Sequence, residues 1–194
     1  MRSYLALFAV LAFAVPAAAS PQPAINFKVQ HYLVSGRDTT ALERAVFATT
    51  PVAMNGQRYG AVTHNEFRTS YSAVGTGDGG CEIKNVRVIL DSTIILPKLA
   101  PGQYSRAVLA EWNRYIGALT AHEMQHANNG KYTAETIAAR LYNFRAPMPC
   151  LEMRPKLDRA IDSLIRNMGQ WDANLDRDTN HGATQGAFLR KGIR

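Results

Sequence analysis

The sequence predicts a single α+β domain: an N-terminal antiparallel sheet with a short helix, followed by three helices. Apolar and polar residues alternate in the first half of the chain, which is typical of half-buried strands. After Pro101 the apolar residues recur every three or four positions, which indicates amphipathic helices. Strands that precede helices favour an α+β layering over alternating βαβ units. The 194 residues, 46% of them hydrophobic and 19% charged, suit one globular domain.

The first twenty residues have the pattern of a secretory signal peptide. Arg2 precedes an apolar run and an Ala17-x-Ala19 cleavage site. The run is shorter than the roughly 20 residues that cross a bilayer, and no later stretch is long and apolar enough to do so. We therefore expect a signal peptide over 1–19 and one mature domain over 20–194. The mature protein is expected to be periplasmic or secreted, with no transmembrane segment.

Turn residues separate the predicted elements of the first half. An alternating segment is followed by a short helix, which a Thr-x-x-Glu capping box begins and Pro51 ends. Two more alternating segments flank a glycine-rich turn over 75–80, and we expect them to pair as an antiparallel hairpin. The four elements are Ala24–Val34, Thr40–Thr49, Gln57–Ala73 and Glu82–Leu96.

The second half predicts three helices and a polar tail. The first helix, Ser105–Asn128, has an apolar stripe and is expected to end at Asn129-Gly130. The second covers Thr133–Phe144, and the third covers Pro155–Leu175. The tail that begins at Asp176 is polar and irregular.

The two cysteines, Cys81 and Cys150, are expected to form a disulfide, because an exported chain folds in an oxidising compartment. Closing a loop of roughly 70 residues stabilises a fold by on the order of 4 kcal/mol in the chain-entropy model. Neither cysteine belongs to a Cys-x2-Cys knuckle, so we do not expect them to bind zinc.

The motif that carries chemistry is His122-Glu123-Met124-Gln125-His126 on the first long helix. Residues four apart lie on one face of a helix, so the two imidazoles can hold one metal ion. Glu123 lies about 100° around the helix from His122, where it can take a proton from a zinc-activated water. The motif therefore predicts a zinc site with His122 and His126 as ligands and Glu123 as general base.

A catalytic zinc ion takes three protein ligands, so a third ligand is expected elsewhere. The Gly and His of the metzincin extension are absent, since Asn129 and Tyr132 stand there. Glu135 opens the next predicted helix, and His181 lies in a polar turn after the last one. The remaining histidines, which fall in the strand region, are His31 and His64.

Four segments together resemble a known bacterial family. In chain order they are Gly79-Gly80-Cys81, a strand ending in Leu96-Pro97, HEMQH, and Asn180-His181-Gly182-x-x-Gln185-Gly186. Over roughly Phe27 to Phe188 the chain is similar to the predicted secreted zinc-dependent proteases of the zincin group. The resemblance implies a zincin-like fold and favours His181 as third ligand, with Glu135 next. The family has a tryptophan after the threonine of Thr63-His64, so this chain departs from it at the wall of the cleft.

We therefore expect an exported zinc peptidase that acts on a peptide or protein substrate. The candidates for stabilising the reacting carbonyl oxygen are Tyr132, His64 and Tyr142. One alternative is a non-catalytic envelope protein whose zinc is structural, with four protein ligands. Another is a basic module for acidic cell-wall polymer, which the net charge of +7 would suit. The chain has no basic run or aromatic ladder, so we do not expect nucleic acid as a partner.

Overall fold

Three long strands and three helices form the body of the protein in a computed structural model, which describes residues 22–54 and 56–194. The predicted signal peptide lies outside these residues. The strands are β1 (Ala24–Val34), β2 (Ala53–Met54), β3 (Gln57–Arg58), β4 (Val62–Gly75), β5 (Cys81–Leu99) and β6 (Arg145–Ala146). The helices are α1 (Thr39–Thr49), α2 (Arg106–Leu141) and α3 (Cys150–Thr179), and a short 3₁₀ turn covers Ala183–Gln185.

The main sheet has the order β1-β5-β4, with β6 added to one end of β5. β4 and β5 form the predicted antiparallel hairpin. The prediction of an antiparallel sheet is wrong for β1, which pairs with β5 in parallel from Ala24 opposite Ile89 to Val34 opposite Leu99. The chain leaves β1 and enters β4 at the same end of the sheet, so the hairpin returns β5 in the direction of β1. The sheet is therefore mixed.

The first helix has a different cap from the one expected. Asp38, rather than Thr40, is the N-cap, and its carboxylate accepts a hydrogen bond of 2.8 Å from the backbone N–H of Ala41. The aspartate satisfies a backbone donor that the first helical turn leaves without a partner.

Two predicted helices are one. α2 continues from Arg106 through Asn129-Gly130 to Leu141, so the break expected there is wrong. Gly130 is where the helix meets the sheet, because a Cβ atom there would lie 2.5 Å from Cγ of Asn65 on β4. The side chain of Asn129 donates to the backbone carbonyl of Met168 at 3.2 Å. Asn129 contacts α3 and Gly130 packs against β4, and the helix continues through both residues.

α3 is longer than predicted at both ends. It begins at Cys150 and keeps Pro155 inside, and it ends only at Thr179, where Asn180 takes the left-handed conformation. The disulfide between Cys81 and Cys150 is confirmed, and it joins the start of β5 to the start of α3. Within residues 22–54 and 56–194, no helix combines the length and hydrophobicity that a membrane span requires.

Helices α2 and α3 pack on one face of the sheet and form two hydrophobic cores. The first lies between α1, α2 and the C-terminal segment, and it includes Val46, Ile94, Trp112 and Leu189. The second lies beneath α3 near the disulfide, and it includes Ile83, Leu90, Ile137 and Met153. The motif of α2 lies on the helix between Leu119 of the first core and Ala134 of the second.

Candidate metal centre

The two histidines of the motif face the same point, as their spacing predicts. His122 and His126 are 1% and 6% exposed, respectively. Their Nε2 atoms lie 3.4 Å apart, and the planes of the rings are 87° apart. The pair is thus buried, and its two Nε2 atoms converge.

A carboxylate from α3 completes the group. Oδ1 of Asp176 lies 3.0 Å from Nε2 of His122 and 3.1 Å from Nε2 of His126. Among the described residues, His122, His126 and Asp176 form the group of side chains that could hold a metal ion. We call the three atoms Nε2 of His122, Nε2 of His126 and Oδ1 of Asp176 the ligand triangle.

The ligand triangle has the dimensions of a zinc site. Tetrahedral zinc with bonds of about 2.0–2.1 Å places its donor atoms roughly 3.3–3.4 Å apart. The observed edges of 3.0, 3.1 and 3.4 Å are close to that spacing. Two imidazoles and one carboxylate are also ligands that zinc accepts, and three ligands leave a coordination position open. The residues present therefore fit the metal.

Side chains behind the triangle fix the orientation of both rings. Nδ1 of His126 lies 2.9 Å from Oδ1 of Asp172, and Nδ1 of His122 lies 3.0 Å from Oε1 of Gln185. Both partners are acceptors, so each Nδ1 carries a proton and donates it. Each Nε2 can then offer its lone pair to a metal that displaces the proton it shares with Asp176, and outer partners of zinc-bound histidines commonly fix the rings in this way.

Electrostatics within the triangle favour a positive charge at its centre. Burial lowers the pKa of His126. The hydrogen bonds to Asp172 and Asp176 outweigh this effect of burial and raise the pKa of His126 to about 10. For Asp176, burial raises the pKa, while its contacts with His122 and His126 bring it well below the usual range. The carboxylate is therefore ionised, and a cation among these atoms is stabilised.

The glutamate of the motif, Glu123, faces the sheet. Glu123 is buried, and Oγ1 of Thr63 on β4 lies 2.8 Å from its Oε2 and 3.0 Å from its backbone oxygen. Burial raises the pKa of Glu123, and the hydrogen bond from Thr63 opposes this effect. Glu123 lies outside the ligand triangle but lines the same cavity.

A polar bridge fastens the motif to the sheet. Asn65 donates through Nδ2 to the backbone oxygen of His126 at 2.9 Å, and its Oδ1 accepts from the hydroxyl of Ser92 at 2.8 Å. Ser92 lies on the central strand, so the backbone at His126 is held against the middle of the sheet.

The two residues expected as third ligand have different positions. His181 lies beside the triangle, with Nδ1 3.6 Å from Oδ1 of Asp176, and its ring contacts that of Tyr59. Glu135 is on the same continuous helix, roughly 13 Å beyond His126 at 1.5 Å per residue. Its carboxylate lies 3.9 Å from Nζ of Lys131, and the structure does not bring it to the triangle.

Sequence reasoning missed Asp172, Asp176, Thr63 and Gln185. A signal for the two aspartates was present, because they are four residues apart on α3, the spacing that identified the histidine pair. The predicted end of the third helix at Leu175 placed Asp176 in the tail and hid this relationship. Gln185 and Thr63 belong to segments compared with the family, but neither pattern indicated that Gln185 contacts His122 or that Thr63 contacts Glu123.

The triangle opens into a cavity of about 480 Å³. Of the candidates for stabilising a carbonyl oxygen, His64 lines this cavity, whereas Tyr132 and Tyr142 do not. Gly182 fits closely beside the site, since a Cβ atom there would lie 2.8 Å from Cγ of His122. Its φ of +79° also favours glycine, which accounts for this residue within the Asn-His-Gly turn.

A family model described as a bacterial protein of unknown function (DUF922) matches residues 29–182. The match runs from β1 into the turn after α3, so it contains the whole ligand triangle and Glu123. No curated protein and no solved structure gives a significant match to the chain.

Proposed function

The chain belongs to this bacterial family, DUF922, and we propose that it is an exported zinc-dependent peptidase with a zincin-like arrangement of helix and sheet. The observation that carries the proposal is the ligand triangle of His122, His126 and Asp176 next to a buried glutamate and a cavity. Export is supported by the signal-like first twenty residues and by the disulfide, which is typical of oxidising compartments.

His122, His126 and Asp176 would hold the metal, and Asp172 and Gln185 would keep the two rings in place. Zinc supplies Lewis-acid polarisation of a carbonyl group and activation of water. The roles of the chain's own residues follow from their positions around it.

Glu123 is the proposed general base. Its carboxylate accepts the proton of the attacking water and later donates it to the leaving amine. Thr63 holds that carboxylate through its hydroxyl. Burial raises the pKa of Glu123, which makes it a better proton acceptor than an exposed glutamate.

A structural zinc site is the second candidate, and the position of His181 is the observation that favours it. With Nδ1 3.6 Å from Asp176, His181 is near enough to become a fourth protein ligand after a small movement. Four protein ligands would close the site to water and substrate. Hydrolysis separates the two candidates, because a closed site has no place for the reacting water.

The test is made on the purified mature protein. We expect about one zinc per chain by metal analysis, and hydrolysis of a denatured protein that stops when the zinc is chelated. Glu123→Gln should keep the zinc and lose at least about a hundredfold in hydrolysis rate. Glu135→Gln, a matched change on the same helix, should keep both the zinc and the hydrolysis rate.

Three outcomes would contradict the proposal. Loss of zinc from Glu123→Gln would make Glu123 a ligand, and unchanged hydrolysis would exclude it as the base. Zinc binding without any hydrolysis by the unaltered protein would support the structural zinc site.

A further inference from the structure

We propose that the cavity beside the ligand triangle is a specificity pocket for an apolar side chain of the substrate, on a residue adjoining the cleaved bond. This inference rests on the proposed peptidase function. We base it on the apolar residues of the cavity walls and on the partners that the nearby charged side chains already have.

The walls away from the metal are apolar. Helices α1 and α2, the segment before β4 and the C-terminal segment all contribute to them. The wall residues are Val46, Ala61, Leu119, Ala187 and Leu189. At the rim, Phe47, Met54 and Phe188 expose between 41% and 48% of their surface. An entering aliphatic or aromatic side chain would cover this apolar surface, and its removal from water stabilises the complex.

The charged groups on this side of the cavity already have partners. Glu43 lies 3.3 Å from Nζ of Lys191. Arg58 donates to the backbone oxygen of Ala48 at 2.8 Å, at the end of α1. Glu43 is therefore paired with a cation, and the guanidinium of Arg58 is turned towards the carbonyl oxygens at the end of α1. A charged substrate side chain would lose its hydration against mostly apolar walls, which disfavours its binding.

The apolar walls and the proposed catalytic residues line one cavity, which determines what part of a substrate can occupy the pocket. The same cavity is lined by His122, Glu123 and Asp176, so a chain held at the metal centre has its neighbouring side chain beside the apolar walls. The volume of about 480 Å³ is within the range of sites that bind small ligands. Gly60 and Tyr115 both line the cavity and approach each other closely, since a Cβ atom at Gly60 would lie 3.1 Å from the hydroxyl of Tyr115.

The first experiment maps cleavage sites. The zinc-loaded protein is incubated with denatured casein, and the fragments are sequenced by mass spectrometry. We expect Leu, Ile, Met, Phe and Val to be enriched at one position adjoining the cleaved bond. Cleavage with no enrichment at either adjoining position, or with enrichment of Asp and Glu, would overturn the pocket and leave the peptidase function standing.

The second experiment needs neither zinc nor hydrolysis. Zinc-free protein is titrated with the N-acetyl amides of leucine, phenylalanine and aspartate, and binding is followed by NMR. We expect the leucine and phenylalanine amides to bind at least about tenfold more tightly than the aspartate amide. Equal binding of all three would overturn the pocket. Selective binding by a protein that never hydrolyses peptides would support the pocket and count against the peptidase function.

A matched pair of variants locates the effect. Met54→Lys places a charge at the rim and should remove most of the preference for the leucine amide. Leu109→Lys alters a residue of similar exposure, 39% against 41%, that does not line the cavity, and it should leave the preference unchanged. An unchanged preference in Met54→Lys, or its loss in both variants, would contradict the assignment to this cavity.

Discussion

At the scale of single residues, Asp176 is the side chain on which the proposed metal centre depends most directly. Its Oδ1 contacts Nε2 of both His122 and His126. Asp176→Asn removes the negative charge but keeps the size of the side chain. We expect the affinity for zinc to fall at least about tenfold to a hundredfold, as measured by competition with a chelator of known affinity.

Controls for this prediction come from the same segment. Asp178→Asn changes an exposed aspartate that pairs with Arg177, and it should leave the zinc affinity unchanged. His181→Ala and Glu135→Gln test the ligands favoured by family resemblance. Loss of zinc from His181→Ala, with retention in Asp176→Asn, would restore His181 as the third ligand.

Local spacing was sufficient to predict that His122 and His126 converge and that Glu123 lies beside them, because all three lie within two turns of one helix. The proposed third ligand, Asp176, could not be found in that way. His126 and Asp176 are 50 residues apart, and their contact depends on how α3 packs against α2. Spacing within α3 identifies two aspartates on one face, but only the packing of the helices shows which face meets the histidines.

At the scale of elements, two glycines of α2 are expected to respond in opposite ways to the same change. Gly130→Ala should destabilise the fold by about 1–3 kcal/mol, because its Cβ would lie 2.5 Å from the side chain of Asn65. Gly117→Ala should stabilise it by about 0.5–1 kcal/mol, because its Cβ would meet no atom within 4 Å beyond the neighbouring backbone of α2 and alanine favours a helix. Urea denaturation measures both free energies of unfolding.

Equal effects of the two substitutions would show that Asn65 can move aside at no cost. Close packing of Gly130 against the sheet would then not be the reason that α2 continues through this position. The Asn-Gly pair is a strong local signal for the end of a helix. Its failure in α2 reflects contacts with β4 and α3, which lie far away in the sequence.

The sheet shows the same division between local and distant information. Alternation predicted β1 with the bounds that the structure has, and the glycine-rich turn predicted the β4–β5 hairpin. The direction of β1 relative to β5 depends on the path of the chain through α1 and β4. That path is not encoded in any single segment, and the prediction of an antiparallel sheet was wrong for this reason.

At the scale of the whole molecule, the buried carboxylate of Glu111 ties the C-terminal segment to α2. Glu111 accepts hydrogen bonds from Arg114, three residues along α2, and from both the backbone and the side chain of Arg190. The same segment supplies Ala187 and Leu189 to the cavity wall. This anchor therefore holds one side of the candidate site in position.

Stability is expected to depend on pH through this residue. The hydrogen bond from Arg114, followed by those from Arg190, holds the pKa of Glu111 well below its ordinary value of 4.5. Its contribution is therefore complete above about pH 4.5 and is lost as the pH falls further. Glu111→Gln should lower the free energy of unfolding by about 2 kcal/mol at pH 7, and by less at pH 3.

Urea denaturation at the two pH values measures the difference between the variant and the unaltered protein. Glu135→Gln, the same substitution in an exposed ion pair, should change the free energy of unfolding by less than about 0.5 kcal/mol at both. A cost of Glu111→Gln that is equal at pH 3 and pH 7 would show that the carboxylate charge does not stabilise the fold.

The parallel pairing of β1 with β5 has a consequence for how the chain is made. Ala24 pairs with Ile89, so the first strand to emerge from the ribosome finds its partner 65 residues later. Contacts between such distant segments form slowly, because a long loop must close before they stabilise anything. If the protein is exported as proposed, a precursor threaded unfolded through a translocation channel would complete its sheet only after β5 has crossed. Under the proposed export, this dependence on β5 would also delay completion of the sheet before translocation.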